Sequence, residues 1–194
     1  ASIEFEAADL ELANAELAKV IYLEGYLFDA INGPAIFNEA ARLAHLHGAK
    51  VALSLSDPWC AERHRAALRD FTANHVSILF GNEEEVASLF QCEVNNAIPV
   101  LSGMIDEVVV TRGPKGAFIN AKENSYEIPA MPQGAVIDTT GAGDLFAAGY
   151  LFGRTNGFDV LQAGRLASLA AGEAISHIGA RPKKKSKRTV GEGV

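Results

Sequence analysis

Cysteine is scarce in this chain. Cys60 and Cys92 are the only two, with no C-x-x-C spacing and no histidine cluster beside them. That argues against a disulfide scaffold and a thiolate metal site, and for two reduced structural thiols in a cytosolic protein. Long apolar runs are missing as well. The best candidate, residues 160–178, is broken by Arg165 and Glu173, so no transmembrane helix is expected. No basic stretch leads into an apolar run at the start, so no signal peptide is expected, and the location expected is cytoplasmic with no membrane partner. Residue 1 is Ala rather than Met, which reads as a processed or truncated end. Two common phosphate-binding spellings are also absent. No Gly-Lys-Ser/Thr triplet occurs, and a G-x-G-x-x-G fingerprint starting at Gly141 would need glycine where Phe146 stands. A dinucleotide-dependent oxidoreductase is therefore disfavoured.

What is present is ordinary for a globular protein. The chain has 194 residues, 48% hydrophobic and 21% charged, enough for one domain with a sizeable core. The formal net charge is −7. Lys183, Lys184, Lys185, Lys187 and Arg188 contribute five positive charges near the end, which leaves the remainder at −12. A body that acidic is a poor partner for nucleic acid, and the basic run reads as a solvated tail. His45, His47, His64 and His75 are scattered without metal-ligand spacing.

Along the chain, residues 4–20 read as a short helix running into a strand, with 20–26 (VIYLEGY) a buried-strand candidate. Gly33-Pro34 opens a helix through about His47, with Ile36, Phe37, Ala40, Ala41, Leu43 and Ala44 on its apolar face. Strands are expected at 50–56, 76–80 and 107–113, and helices at 59–73 and 82–90. This alternation argues for a mostly parallel sheet covered by helices on both faces. After Gly113 the pattern changes to two short, closely spaced strands, GAFINA and SYEIP, as in an antiparallel hairpin. Helices at about 141–153 and 159–178 follow. The tail from Pro182 is polar and basic, with disorder expected.

The chemistry concentrates in residues 138–150, DTTGAGDLFAAGY. A turn of small residues lets backbone N–H groups converge on one point, and the helix behind it adds positive potential at its N-terminus. Together these make an anion hole. Asp144 follows the turn, beside the anion rather than in it, where a carboxylate can take the proton of a hydroxyl that attacks phosphorus. On local sequence alone, a helix-capping Asp is the competing reading.

The stretch DTTGAGDLFAAGYL resembles the C-terminal signature of the ribokinase-like sugar kinases, the phosphofructokinase B type family. The resemblance implies an α/β fold, a ribokinase-like Rossmann-type αβα sandwich, over residues 1–182. It implies Asp144 as catalytic base, with the N–H groups of Gly141, Ala142 and Gly143 as the anion hole. Two further motifs fall in order. Asn82-x-x-Glu85 is similar to the family's Asn-x-x-Glu, in which Glu85 helps place Mg2+ and Asn82 lies near the phosphates. By itself this acidic run reads as the first turn of a helix. TRGPKG, with Thr111, Arg112, Gly113 and Gly116, resembles a segment that lines the nucleotide, and by itself reads as a glycine-punctuated turn. IGARP (178–182) resembles a segment that, with Asp138 and Thr140, surrounds a monovalent cation such as K+; Lys183 stands where some relatives have Ser. LSLSDP (53–58) resembles a segment of adenosine kinases.

The activity implied is ATP-dependent phosphorylation of a primary hydroxyl on a sugar or nucleoside. ATP and Mg2+ would be cofactors, a small molecule the substrate and a homodimer compatible. The substrate-binding Asp on a first strand, the Gly-Gly motif and the small β lid of the family have no counterpart here. The chain therefore reads as the nucleotide-binding portion, followed by a 183–194 tail, and a non-catalytic nucleotide-binding module is the alternative. His177 either approaches adenine or serves as a charge partner at a helix C-terminus.

Overall fold

The computed structural model describes residues 16–183. Its strands are β1 (Val20–Glu24), β2 (Lys50–Ser54), β3 (Ile78–Asn82), β4 (Glu107–Thr111), β5 (Ala117–Ala121) and β6 (Asn124–Ile128). They form a six-stranded sheet in the order β1-β2-β3-β4-β5-β6. β1 pairs with β2 in parallel, Val20 opposite Lys50 and Glu24 opposite Ser54. β2 pairs with β3 in parallel, Leu53 opposite Leu79. β5 and β6 are joined by Lys122 and Glu123 alone, a turn short enough to require antiparallel strands. The mostly parallel sheet and the hairpin agree with the sequence expectation.

The helices are α1 (Gly33–His47), α2 (Pro58–Arg63), α3 (Arg65–His75), α4 (Glu83–Phe90), α5 (Val94–Ser102), α6 (Ala142–Thr155) and α7 (Val160–Ala174). Among the described residues no helix is long and apolar enough to cross a membrane.

The chain divides into two compact units. One reaches Val110 and takes in Asn120–Glu123. The other comprises Thr111–Ile119 and resumes at Asn124. In the first, β2, β3 and β4 are apolar on both faces, as strands buried between helices must be. Their side chains, with Phe37 and Ala40 of α1 and Leu68 and Phe71 of α3, make the core. Phe37 lies between Phe28 and Phe71, with ring centroids 4.2 and 4.8 Å away. In the second unit, Ile119, Ile128, Phe146, Tyr150, Ala163 and Ala167 are buried. There α6 and α7 approach closely: a Cβ built on Gly149 would lie 2.8 Å from Ala167 Cα.

The structure redraws several sequence boundaries. β1 stops at Glu24, and residues Gly25–Asp29 form a 3-10 turn. The single helix expected over 59–73 is two, parted at His64, whose backbone leaves helical geometry and whose Nε2 lies 2.7 Å from Asp29. α5 was not expected, because Pro99 sits inside it. The last helix ends at Ala174 rather than near 178. The helix expected near the start falls outside the described residues up to residue 15, as does the tail beyond Lys183.

Candidate active site

In the first unit, Asn82 ends β3 and caps α4. Its side-chain oxygen accepts from Glu85 N at 2.8 Å. Glu85 returns the contact, Oε2 accepting from Asn82 N at 2.9 Å and Oε1 from Asn82 Nδ2 at 2.7 Å. This reciprocal cap explains the spacing Asn-x-x-Glu by local mechanics alone. It also fixes a largely buried carboxylate, Glu85 being 8% exposed. Burial pushes its carboxyl above the ordinary range; the Asn82 N–H opposes this, and the charges of Asp57, Glu84 and Glu24 add to it.

Sequence reasoning missed Asp57 and Tyr26 as neighbours of this group. In the sequence Asp57 stood out only as part of the LSLSDP segment. It caps α2, accepting from Trp59 N at 2.7 Å and Cys60 N at 2.8 Å. Burial first, then Asp57, raises the Tyr26 hydroxyl above its usual value, with a smaller contribution from Glu85. Ser56, in the LSLSDP segment, holds φ 71°, an uncommon conformation for a residue with a Cβ. Cys60 is buried and its thiol is pushed up to about 11, first by burial, which keeps it inert.

In the second unit, TRGPKG is a 3-10 turn, Gly113–Lys115, between β4 and β5. Arg112 N donates to Gly116 O at 2.7 Å, closing the loop, and Gly116 has φ 89°. Thr111 ends β4. The Arg112 side chain pairs with Glu127 and stands 6.0 Å from the centroid of the Phe118 ring.

The Asp138–Asp144 segment is also in this unit. Asp138 Oδ1 accepts from Thr140 N at 2.9 Å and Oδ2 from Gly179 N at 3.1 Å. The Thr140 side chain also bonds the Asp138 carboxylate. That contact, then the N–H groups of Thr140 and Gly179, holds Asp138 down to about 2 although it is only partly buried. Gly141 sits at φ 78° as the N-cap of α6. A Cβ there would lie 2.5 Å from Ala180 Cβ, so both backbone and space demand glycine. Ala142 N donates to Thr139 O at 3.1 Å. Among the described residues, the N–H groups of Gly141 and Gly143 have no acceptor, and a Cβ built on Gly143 would meet open space. These two amides are the turn's available donors at the helix N-terminus.

Asp144 is the third residue of α6, and no side chain caps this helix. The capping role that competed for Asp144 is thus absent. Its carboxylate is exposed and makes no hydrogen bond or ion pair among the described residues. His177 lies past the end of α7, its Nε2 3.3 Å from Glu173 Oε1, the placement of a charge partner.

Among the described residues, no group of three or more His, Cys, Asp or Glu could hold a metal ion. Mg2+ does not require one, because it keeps several waters and takes one or two carboxylates plus phosphates. Each Glu85 oxygen accepts one Asn82 donor and has a second lone pair left for a water, which fits that mode.

Known proteins match both the sequence and the fold. The chain is 34% identical over 100 residues to a nucleoside kinase of Methanocaldococcus jannaschii, an overlap of 50% of this chain and 32% of that protein. It is 29% identical over 181 residues to the 2-dehydro-3-deoxygluconokinase of Escherichia coli K12, covering 75% of this chain and 59% of the enzyme. The solved adenosine kinase of Sinorhizobium meliloti superposes with a TM-score of 0.91 at 35% identity, over 94% of this chain and 56% of that one. The matches thus cover between 32% and 59% of the length of these relatives. The family model for pfkB family carbohydrate kinases matches residues 1–187, and the chain belongs to that family.

Proposed function

We propose that this chain carries the phosphoryl-transfer site of an ATP-dependent kinase acting on a hydroxyl of a sugar or nucleoside. The observation that carries the reading is the start of α6. Two amides without acceptors, on Gly141 and Gly143, stand beside an exposed carboxylate with no partner, on Asp144. Family membership supports it.

The Asp144 carboxylate accepts the hydroxyl proton of the alcohol as its oxygen bonds to the γ-phosphorus and the bond to the ADP oxygen breaks. The Gly141 and Gly143 N–H groups donate to the oxygens of the transferred group, where negative charge gathers. MgATP supplies the phosphoryl group and the metal's charge. Glu85 would hold that metal through water, with Asn82 near the phosphates, while Thr111, Arg112, Gly113 and Gly116 line the nucleotide. A monovalent cation such as K+ at Asp138 and Thr140 belongs to the same reading. The likeness to adenosine and nucleoside kinases supports testing nucleosides beside sugars as acceptors.

The test pairs calorimetry of MgATP binding with an ADP-release assay over a panel of nucleosides and sugars. Binding together with acceptor-dependent ADP release supports the kinase reading. Binding without release on any acceptor favours a nucleotide-binding module, and absence of binding contradicts both.

A further inference from the structure

The glycine turn is not held by its own residues alone. The segment after α7 folds back and grips it at two points: Gly179 N donates to Asp138 Oδ2 at 3.1 Å, and Ala180 packs against Gly141 so closely that a Cβ would fall 2.5 Å away. The backbone before the turn is stitched to the end of the same helix, Ile137 N donating to Ile175 O at 2.8 Å and Gln133 N to Gly172 O at 3.2 Å. Glu173, in the last turn of α7, meets this returning segment near both of its ends. Its Oε1 accepts from Lys183 N at 3.0 Å and stands 3.3 Å from His177 Nε2, with the side chain only 14% exposed.

We propose that Glu173 is a positioning residue for the phosphate turn. By bonding Lys183 N at one end and standing beside His177 at the other, it keeps Gly179 on Asp138 and Ala180 on Gly141, and so keeps the Gly141 and Gly143 amides in place. It touches no substrate. The functional part of this inference rests on the phosphate-binding role of that turn; the geometric part does not.

The experiment measures amide hydrogen exchange at Thr140 and Gly179, and the MgATP dissociation constant, in the wild-type chain, Glu173→Gln and Glu173→Ala. The alanine variant loses the acceptor for Lys183 N and the partner of His177. Exchange at the two amides should rise about tenfold while the interior amides of α6 keep their protection, and the dissociation constant should rise by a similar factor. The glutamine variant keeps an acceptor oxygen but not the charge, and should fall between, with exchange about threefold faster. That ordering is the rescue expected of a positioning role. Should the alanine variant not fold, the glutamine variant decides alone. Wild-type exchange at Thr140 and Gly179 in the variants overturns the proposal, as does acceleration spread evenly over α6 and α7. Looser amides with unchanged MgATP affinity overturn it too. If the wild-type chain binds no MgATP, the kinase reading fails, and the exchange data still decide whether Glu173 holds the turn.

Discussion

At the scale of single residues, the carboxylates of this chain are set apart by their surroundings. Asp138 is only partly buried, yet its oxygens collect the Thr140 hydroxyl and two backbone N–H groups and its carboxyl is held down to about 2. Glu85 is buried and pushed the other way. Asp144 has neither burial nor a partner. The Asp138 shift has a pH consequence. Its folded value lies below the ordinary range of about 3.9, so the tie it makes is fully present above that range and is lost as pH falls towards about 2. Following the Thr140 and Gly179 amide resonances through an acid titration should show a shared midpoint near 2. A midpoint near 4 would mean that the bonds add nothing to the carboxylate's acidity. These distinctions were only partly legible beforehand. The spelling DTTGAGD marks where the anion and the base belong, but Gly179 is 41 residues from Asp138, and a contact that distant leaves no local pattern.

Among the elements, α1 was legible to the residue because Gly33-Pro34 and Gly48 punctuate it; Gly48 takes φ 69° just past its end. The break at His64 was not; there the ring meets Asp29, a residue in a different turn that leaves no local pattern. α5 was hidden by Pro99, which its single-proline interruption tolerates in a nine-residue helix. The small residues of α6 read as a family signature, and the structure gives them a mechanical reason. Gly149 lets α7 approach to contact, so Gly149→Ala should destabilise. The usual gain of about 0.5–1 kcal/mol for Gly to Ala in a helix is outweighed by an overpacking cost of about 1–3 kcal/mol. Chemical denaturation would show this as a lower midpoint with unchanged slope; an equal or higher midpoint would show that the helices move apart at no cost.

For the molecule as a whole, nucleotide binding should appear as stabilisation. MgATP at about 100 times its dissociation constant adds about 2.7 kcal/mol, which for a chain of 194 residues raises the melting temperature by about 5–11 °C. Scanning calorimetry with and without MgATP checks this, and an unmoved melting temperature would contradict the nucleotide-binding reading. The alternation of strands and helices made the fold class legible from the sequence, while the division into two compact units was not, because contacts between distant residues decide it. The central claim rests on one side chain. Asp144→Asn, assayed for acceptor-dependent ADP release and for MgATP affinity side by side, should lose about 10² to 10⁴ in turnover with affinity retained, since only the proton acceptor is removed. Wild-type turnover in that variant would contradict the account.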